Sequence, residues 1–217
     1  MTPLLIIDFD STFIRDETLD EIAKLVLDKS QRDEIKTITN EAMEGKIDFS
    51  QALKRRVEML KIHKKDINNI ITILKKRISQ SFIKNKNRLR SISDRVYIVS
   101  GGFKEIIAPI VEEFGICNSN IFANDFTYDN KGFITGIDEN SPLSHSNGKI
   151  RALNEIDFTS EVYVIGDGST DLEMKQVKGV SAFICFTENI DRLSISSQAD
   201  YIASNLDEVF QIIETLA

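Results

Sequence analysis

The sequence has few cysteines and histidines and no long apolar stretch. Its two cysteines, Cys117 and Cys185, form no CxxC pair, and it has only two histidines. Composition therefore supports neither a disulfide framework nor a zinc site, and we expect two reduced thiols that are buried or half-buried. The apolar run before Asp8 is only Leu4 to Ile7, too short for a signal-peptide core, and no run elsewhere approaches a membrane span. We expect a cytoplasmic protein without a membrane partner.

The chain also has fewer basic than acidic side chains. It has 27 Lys and Arg against 34 Asp and Glu, a net charge of −7 and a pI near 5.0. This balance argues against binding to nucleic acid or to an anionic membrane. The one basic stretch, residues 75 to 90, contains Phe82 as its only aromatic residue. Because single-stranded nucleic acid needs stacking residues, we interpret this stretch as a solvated helix face and expect no nucleic-acid partner.

Short apolar runs rich in Ile and Val recur along the chain, at "LLIIDFD", "RVYIVSGG" and "EVYVIGDG". Continuous rather than alternating apolar runs indicate strands covered on both faces, as in a parallel α/β sheet. Weaker candidate strands are "SNIFAND", "SAFICF" and "DYIAS", the last as an edge strand before a helix from Leu206 to Leu216. The sequence therefore predicts an α/β fold with a Rossmann-like, doubly wound parallel sheet.

Residues 15 to 80 have a helical pattern and no convincing strand. Thr18 followed by Glu21 has the spacing of a capping box at the start of a helix. The simplest account is a helical insertion after the first strand, so we predict a core of residues 1–14 and 80–217 and an inserted domain of residues 15–79. Further on, "NKGFITG" predicts a hairpin turn that leads into a short strand.

Two aspartates, Asp8 and Asp10, follow the first predicted strand directly. Ligands of parallel α/β sheets collect in the crevice beyond the carboxyl ends of the strands, where this pair is expected to lie. Two carboxylates about 4 Å apart repel by roughly 4 kcal/mol at an effective dielectric of 20, so a cation or a shared proton must compensate them. Oxygen ligands favour Mg²⁺ held by a few carboxylates and a phosphate oxygen. The alternative is a pair of solvated or helix-capping aspartates.

A second acidic cluster follows the strand that ends in "VIGDGSTD" and contains Asp167 and Asp171. Gly166 and Gly168 let the backbone bend close to a ligand, and the acidic groups are suited to complete a Mg²⁺ sphere in the same crevice. The alternative is an ordinary connection from a strand to a helix. Combined with the first pair, the cluster favours a metal site.

A third predicted strand ends in "IVSGGF". The Ser100 hydroxyl, with free N–H groups at a glycine turn that opens a helix, predicts an anion cradle for a phosphoryl oxygen. Taken alone, this tripeptide is weak evidence, and a plain turn is the first interpretation.

In this order, "DFDST", "SGG", a downstream lysine and "GDGSTD" resemble the four motifs of the haloacid dehalogenase-like phosphatases. The similarity extends to a helical cap, since "DFDSTFIRDETLDEIA" and "ITNEAMEGKIDFSQALKRRVEMLK" are similar to the first motif and the cap of the phosphoserine phosphatase family. The segments "IVSGGF", "FAND" and "GFITG" continue the resemblance. It covers nearly all of residues 4 to 175.

The resemblance implies roles for the acidic residues. Asp8 would be the nucleophile that forms an aspartyl-phosphate, and Asp10 would be the general acid and base. The Mg²⁺ ion would be held by Asp8, Asp167 and the main-chain carbonyl of Asp10. The metal-binding residues that the resemblance implies are Asp8, Asp10, Asp167 and Asp171.

The resemblance also implies a pocket for an amino acid. Glu17 would bind a substrate ammonium and Arg56 a substrate carboxylate, pairings that suit a lone acid and a guanidinium fork. Without the resemblance, Glu17 would be a first-turn helix acid and Arg56 a surface residue. The substrate-binding residues implied are Glu17, Met43, Phe49, Arg56, Ser100, Gly101 and Thr170.

The lysine motif departs from the family pattern. The family lysine lies a little over twenty residues before the GDG aspartate, whereas Lys149 lies eighteen residues before Asp167. Either the loop is shortened and Lys149 serves, or the position falls to Asn147. We expect Lys149, because an unneutralised aspartate pair facing a phosphate is electrostatically costly. We interpret His63 as a surface residue of a cap helix and His145 as a loop residue.

These features together predict a Mg²⁺-dependent phosphomonoesterase that hydrolyses L-phosphoserine to L-serine and phosphate. Two alternatives remain: a related phosphatase for another small phosphate ester, and a catalytically silent phosphoserine-binding protein. The expected partner is a small phosphate ester, and the chain is expected to act as a monomer or homodimer. The cap is expected to close over the core, with hinges near residues 13 to 17 and 78 to 86.

Overall fold

The computed structural model describes residues 2–216. Its strands are β1 (Leu4–Ile7), β2 (Val96–Phe103), β3 (Ile121–Asn124), β4 (Phe126–Tyr128), β5 (Ile134–Ile137), β6 (Val162–Gly166), β7 (Val180–Phe186) and β8 (Tyr201–Ala203). Six of them form one sheet in the order β3-β2-β1-β6-β7-β8, and all neighbouring pairs are parallel. This confirms the predicted parallel α/β fold, with β8 at one edge of the sheet.

Strand β1 shows why a continuous apolar run suits this sheet. Leu5 and Ile7 contribute to one hydrophobic cluster, whereas Leu4 and Ile6 contribute to a second cluster. Successive side chains of a strand point to opposite faces, so both faces of β1 are covered. Each fully buried side chain of this size contributes about 1.5–3 kcal/mol to folding. The central strand is therefore fixed firmly before the chain reaches Asp8.

The segment between β1 and β2 is helical, as the sequence predicts. Apart from two isolated β-bridges, Ile14 to Ile78 and His63 to Phe133, residues 15–80 contain no extended pairing. The division into a core and an inserted cap stays a prediction. The helices are α1 (Thr18–Val26), α2 (Lys29–Met43), α3 (Phe49–Met59), α4 (Ile67–Lys75), α5 (Gln80–Lys84), α6 (Lys86–Ser91), α7 (Lys104–Val111), α8 (Gly148–Leu153), α9 (Ser169–Glu173), α10 (Leu193–Ser196) and α11 (Leu206–Leu216).

The predicted capping box at Thr18 and Glu21 is wrong. Helix α1 begins at Thr18 itself, and the preceding Glu17 makes no side-chain cap bond. The Thr18 main-chain N–H and hydroxyl both donate to Oδ1 of Asp10. An anion at a helix N-terminus is favoured by the helix dipole, and here that anion comes from a residue eight positions earlier. A complete capping box occurs instead at α2, between Asp28 and Gln31.

The chain leaves and re-enters the sheet through two adjacent segments. The Arg15 N–H donates to the Arg77 carbonyl at 2.7 Å, and the Ser79 N–H donates to the Phe13 carbonyl at 3.0 Å. The Ser79 hydroxyl donates to the Thr12 carbonyl at 2.7 Å. These pairings connect both ends of the inserted segment at the places where hinges are predicted.

Strands β4 and β5 form the predicted antiparallel hairpin. Its turn contacts His63, whose ring lies 5.1 Å from the Phe133 ring and makes a 2.8 Å hydrogen bond with the Lys131 carbonyl. The prediction of His63 as a surface residue on a helix is therefore wrong. It is half-buried and precedes a short 3₁₀ turn. His145 lies in a loop, as expected.

The basic stretch is exposed, but it is paired with acids rather than simply solvated. Lys84 contacts Asp207 at 2.9 Å, and Lys75 and Lys86 both contact Glu113, at 2.7 and 3.2 Å. These contacts link helices α4, α5 and α6 to acidic residues of neighbouring elements.

The two cysteines differ in exposure, and one expectation fails. Cys185 is buried, but Cys117 is exposed, because it precedes a turn at the surface. None of the helices in residues 2–216 is long and apolar enough to cross a membrane.

Candidate active site

Three buried carboxylates meet at the carboxyl ends of two neighbouring strands. Asp8 follows β1, Asp167 follows β6, and Asp171 lies in α9. The Asp8 main-chain N–H donates to the Ile165 carbonyl at 2.9 Å, which extends the β1 to β6 pairing to the first aspartate. One oxygen from each carboxylate lies within 4.8 Å of the other two, and the residues are 6%, 2% and 1% exposed. The structure brings together three of the four residues predicted to bind the metal.

The charge of this group is not fully balanced. Burial raises the pKa of Asp8 well above its usual value, Asp171 and Asp167 raise it further, and Lys149 opposes them. Burial and Glu17 raise the pKa of Asp167 to about 7, against Arg192. Clustered oxygens with surplus negative charge fit a hard divalent cation, which would favour the ionised carboxylates. The residues present therefore fit the predicted metal site.

Lys149, rather than Asn147, reaches the nucleophile candidate. The Lys149 ammonium donates to Asp8 Oδ1 and to Asp171 Oδ1, each at 2.7 Å. Burial alone would lower the pKa of Lys149, but Asp171 and Asp8 raise it above the usual value, so the side chain is charged at neutral pH. Asn147 precedes α8 in a left-handed conformation with φ 58°. The spacing between Lys149 and Asp167, shorter than in the family pattern, is thus sufficient to bring Lys149 to Asp8.

Gly148 allows α8 to lie close to the preceding loop, which brings Lys149 to Asp8 despite the short connection. A Cβ atom at Gly148 would lie 2.5 Å from the Pro142 carbonyl oxygen. Only glycine permits this approach of α8 to the preceding loop.

Asp10 lies apart from the three carboxylates and faces the first helix of the cap. Its carboxylate accepts both donors of Thr18. Burial and Glu17 raise the pKa of Asp10 to about 7, while the Thr18 hydrogen bonds and Arg56 oppose the rise. A carboxyl group with this pKa can both release and accept a proton near neutral pH. Its side chain is not in the three-carboxylate group, so a metal contact from Asp10 would come from the main chain.

The Ser-Gly-Gly segment is not the predicted turn. Strand β2 continues to Phe103 with a register shift between Val99 and Phe103, and α7 begins only at Lys104. The Gly102 N–H is not free, because it donates to the Ser100 hydroxyl at 3.0 Å. A Cβ at Gly101 would lie 2.3 Å from the Phe49 ring. The segment is therefore an irregularity in a strand that lets Phe49 of the cap cover the backbone.

The predicted catalytic and substrate-binding residues all line one cavity. The space among them is about 400 Å³ when the adjoining open solvent is included. The Thr170 hydroxyl is buried there without a hydrogen-bond partner among the described residues, so it is available to a ligand. The residues lining the cavity are Asp8, Asp10, Glu17, Leu19, Met43, Phe49, Leu53, Arg56, Ser100, Gly101, Gly102, Lys149 and Thr170.

Glu17 and Arg56 supply the charged groups on the cap side of this cavity. Glu17 accepts a 2.8 Å hydrogen bond from the Ser11 hydroxyl. Ser11 has φ 54°, a left-handed conformation that is uncommon outside glycine and marks a constrained turn. Arg56 is only 3% exposed, which excludes the alternative that it is a surface residue.

Sequence reasoning missed Arg192. Its Nε donates to Asp167 Oδ2 at 3.0 Å, and its Nη2 lies 3.7 Å from Oε1 of Glu17. This buried guanidinium thus connects the three-carboxylate group with Glu17. A single arginine in the polar segment "TENIDR" has no periodicity or motif that would have revealed it.

A family model described as "haloacid dehalogenase-like hydrolase" matches residues 5–176. The chain belongs to this family. It is 31% identical over 210 residues to the chloroplastic phosphoserine phosphatase of Arabidopsis thaliana, covering 95% of this chain and 70% of that protein. The predicted family resemblance is confirmed.

Solved structures agree with this membership. A phosphoserine phosphohydrolase-like protein from Francisella tularensis superposes with a TM-score of 0.87 at 28% identity, covering 98% of this chain and all of that one. A substrate-bound phosphoserine phosphatase complex gives a TM-score of 0.77 at 26% identity, covering 98% and 99% of the two chains. These similarities establish the fold and the family, while the role of each site residue stays a prediction.

Proposed function

We propose that this chain is a Mg²⁺-dependent phosphoserine phosphatase, hydrolysing L-phosphoserine to L-serine and phosphate in a cytoplasmic step of serine synthesis. One observation carries the proposal: a single cavity contains Asp8 with its Lys149 partner as well as Glu17 and Arg56. The first pair suits phosphoryl transfer, and the second suits the ammonium and carboxylate of an amino acid. The names of the relatives support the same substrate.

Two carboxyl groups divide the chemistry. The Asp8 carboxylate attacks phosphorus and forms an aspartyl-phosphate, while the bond from phosphorus to the serine oxygen breaks. Protonated Asp10 gives its proton to that oxygen, then accepts a proton from the water that attacks the aspartyl-phosphate. Phosphate leaves, and both residues return to their starting states. The pKa of Asp10, raised to about 7, suits both proton transfers.

The rest of the core side holds the phosphoryl group. The Lys149 ammonium, 2.7 Å from Asp8, lowers the repulsion between the nucleophile and the phosphate dianion. The hydroxyls of Ser100 and Thr170 line the same space and supply hydrogen-bond donors. Mg²⁺, when held by Asp8, Asp167 and the Asp10 carbonyl, would supply further charge neutralisation.

The cap side selects the organic part of the substrate. The Glu17 carboxylate is placed for an ammonium and the Arg56 guanidinium for a carboxylate, while Met43 and Phe49 wall the pocket. Groups left unpaired by a smaller substrate would remain buried at a cost, which gives selectivity against esters that lack them.

Closure of the cap completes the pocket. Across from the hinges, the Ser50 hydroxyl donates to the Ser144 carbonyl at 2.6 Å, and Lys54 contacts Glu139 at 2.6 Å. Asp48 accepts a hydrogen bond from Ser146. These contacts join α3 to the loop that precedes Lys149, which supports a closed position of the proposed cap. We propose that residues 15–79 move as the cap to admit substrate and release product.

The proposal is tested by phosphate release from L-phosphoserine and from a panel of other phosphomonoesters, with and without Mg²⁺, for the wild type and Asp8→Asn. We expect a strong Mg²⁺-dependent preference for phosphoserine that the substitution abolishes. Turnover only of other esters would keep the chemistry and reject the substrate. No turnover of any ester, with phosphoserine still bound, would favour the silent binding protein.

A further inference from the structure

A chain of hydrogen bonds crosses the three helices of the cap behind Arg56. The Arg56 Nη1 donates to the Thr39 hydroxyl at 3.1 Å, and the Thr39 hydroxyl donates to Asp20 Oδ1 at 2.8 Å. Asp20 lies in α1, Thr39 in α2 and Arg56 in α3. The chain therefore joins one residue from each helix and ends at the cavity.

The interior of the cap gives these groups no alternative partners. Thr39 is 1% exposed and Arg56 is 3% exposed, and the neighbouring buried cluster consists of Ile38, Ala42 and Ala52. The Thr39 hydroxyl, if it lost its partners here, would not regain one from water, so the two bonds of Thr39 are maintained together. Such a network specifies orientation more than it adds stability.

The hydroxyl proton of Thr39 gives the chain a direction. A threonine hydroxyl has one proton, and its short contact with the Asp20 carboxylate places that proton on the side of Asp20. The oxygen lone pairs of Thr39 are then left to accept from Arg56. Asp20 thus fixes Thr39 as an acceptor, and its negative charge also favours the Arg56 guanidinium.

Hydrogen bonds hold two of the three guanidinium nitrogens of Arg56 and leave Nη2 for the pocket. Arg56 Nε donates to the Ala52 carbonyl at 3.3 Å, and Nη1 donates to Thr39. A guanidinium has five N–H donors in a rigid plane. The remaining donors of Arg56 have no partner in residues 2–216, and the side chain lines the cavity. Two bonds to a plane fix its tilt and its rotation, so they determine where the free donors point.

We propose that Thr39 and Asp20 are positioning residues that set the selectivity of the site for a substrate carboxylate by orienting Arg56. This inference rests on the proposed function, because it assigns Arg56 the substrate carboxylate. Neither residue lines the cavity: Thr39 acts on the substrate through Arg56, and Asp20 acts through Thr39 and by its charge on Arg56 and Glu17.

The kinetic test compares phosphoserine with phosphoethanolamine, which has the ammonium but lacks the carboxylate. Thr39→Val removes the hydroxyl at nearly constant volume, and we expect KM for phosphoserine to rise about tenfold, the factor that corresponds to 1.4 kcal/mol. The values of kcat for both substrates and KM for phosphoethanolamine should change less than about twofold. The substitution weakens only the interaction with the substrate carboxylate, which is equally strong in the ground state and the transition state. Thr39→Ser should restore the wild-type KM.

Two further variants separate this role from a merely structural one. Asp20→Ala frees the Thr39 proton and should raise KM for phosphoserine selectively, whereas Asp20→Asn keeps an acceptor oxygen and should have a smaller effect. Should Thr39→Val fail to fold, the half-buried Asp20 pair still decides the question. Thr37→Val is the matched control, because Thr37 lies exposed on the same helix and its hydroxyl bonds only the Asp33 carbonyl. Equal losses for both substrates, or a selective loss in the control, would overturn the proposal.

A spectroscopic readout keeps the result independent of the substrate assignment. In the wild type, NMR of arginine side chains should show a slowly exchanging, ordered Arg56 guanidinium, assigned by its loss in Arg56→Ala. Thr39→Val should broaden this signal and Thr39→Ser should keep it. If wild type does not prefer phosphoserine over phosphoethanolamine, the proposed function fails, whereas an unchanged Arg56 signal in Thr39→Val rejects the positioning role itself.

Discussion

The core side and the cap side of the cavity hold buried charge in different ways. On the core side, opposite charges touch directly, with Lys149 2.7 Å from both Asp8 and Asp171. On the cap side, Arg56 donates to two neutral oxygens, and no carboxylate of residues 2–216 is recorded in direct contact with it. Direct ion pairs resist rearrangement, while neutral contacts leave most of a charge available to a ligand. The comparison fits the proposal that the core side carries out the reaction and the cap side recognises the substrate.

The nucleophile candidate should give the largest effect on activity. Asp8→Asn keeps the shape of the side chain but removes the attacking charge, so we expect phosphate release to fall at least about 10⁴-fold for every ester. Thermal unfolding checks that the variant remains folded. Retention of a few percent of activity in a sample free of wild-type enzyme would move the chemistry away from Asp8.

Substitution of Lys149 should have the second-largest effect on activity. Lys149→Met removes the charge that lies against Asp8, and we expect kcat to fall about 10²–10³-fold with aryl phosphate and phosphoserine alike. Lys175→Met is a matched control, since Lys175 is a surface lysine paired with Asp200 at 2.6 Å. A fall in kcat for phosphoserine alone would contradict a role of Lys149 on the core side. Wild-type activity in Lys149→Met would also contradict it and would favour Asn147.

Substitutions on the cap side should change the selectivity between substrates. Arg56→Ala and Glu17→Gln should lower kcat/KM for phosphoserine about 10²-fold, because each leaves a charged substrate group unpaired. Turnover of an aryl phosphate should fall much less, only through the change in the Asp10 pKa that Glu17 and Arg56 help to set. Arg55→Ala provides the control, because this neighbouring arginine is 62% exposed and pairs with Glu34. Equal losses on both substrates would mean that the cap residues serve general binding or folding.

The same contrast explains which features the sequence could predict. Asp8 and Asp167 follow continuous apolar runs, and the ends of parallel strands converge, so position along the chain locates both residues. Thr39 and Arg192 carry no such signal, because their partners lie 17 and 25 residues away along the chain and no periodicity connects them. The Thr18 capping box failed for a related reason: Asp10 competed for the same donors. Predictions from local pattern were correct where burial decides the structure and failed where a distant polar partner does.

A pH-dependent stability should be the smallest of these effects, and it arises on the cap side. Burial and Glu17 raise the pKa of Asp20 to about 6, while Thr39 and Arg56 oppose the rise. The folded state therefore holds this proton more tightly than the unfolded chain, whose aspartates titrate near 3.9. The contribution of Asp20 to stability is fully present below about pH 4 and is lost as pH rises through 6.

Asp20→Asn should remove this dependence. We expect the variant to gain stability relative to wild type between pH 4 and 6, by about 2 kcal/mol when the partial exposure of Asp20 is allowed for. Urea unfolding across this pH range, with the exposed Asp33→Asn on α2 as control, measures the difference. If the difference in unfolding free energy between variant and wild type does not change with pH, Asp20 is ionised over the whole range. Arg56 would then balance the buried charge of Asp20, and the cap side would hold an ion pair as the core side does.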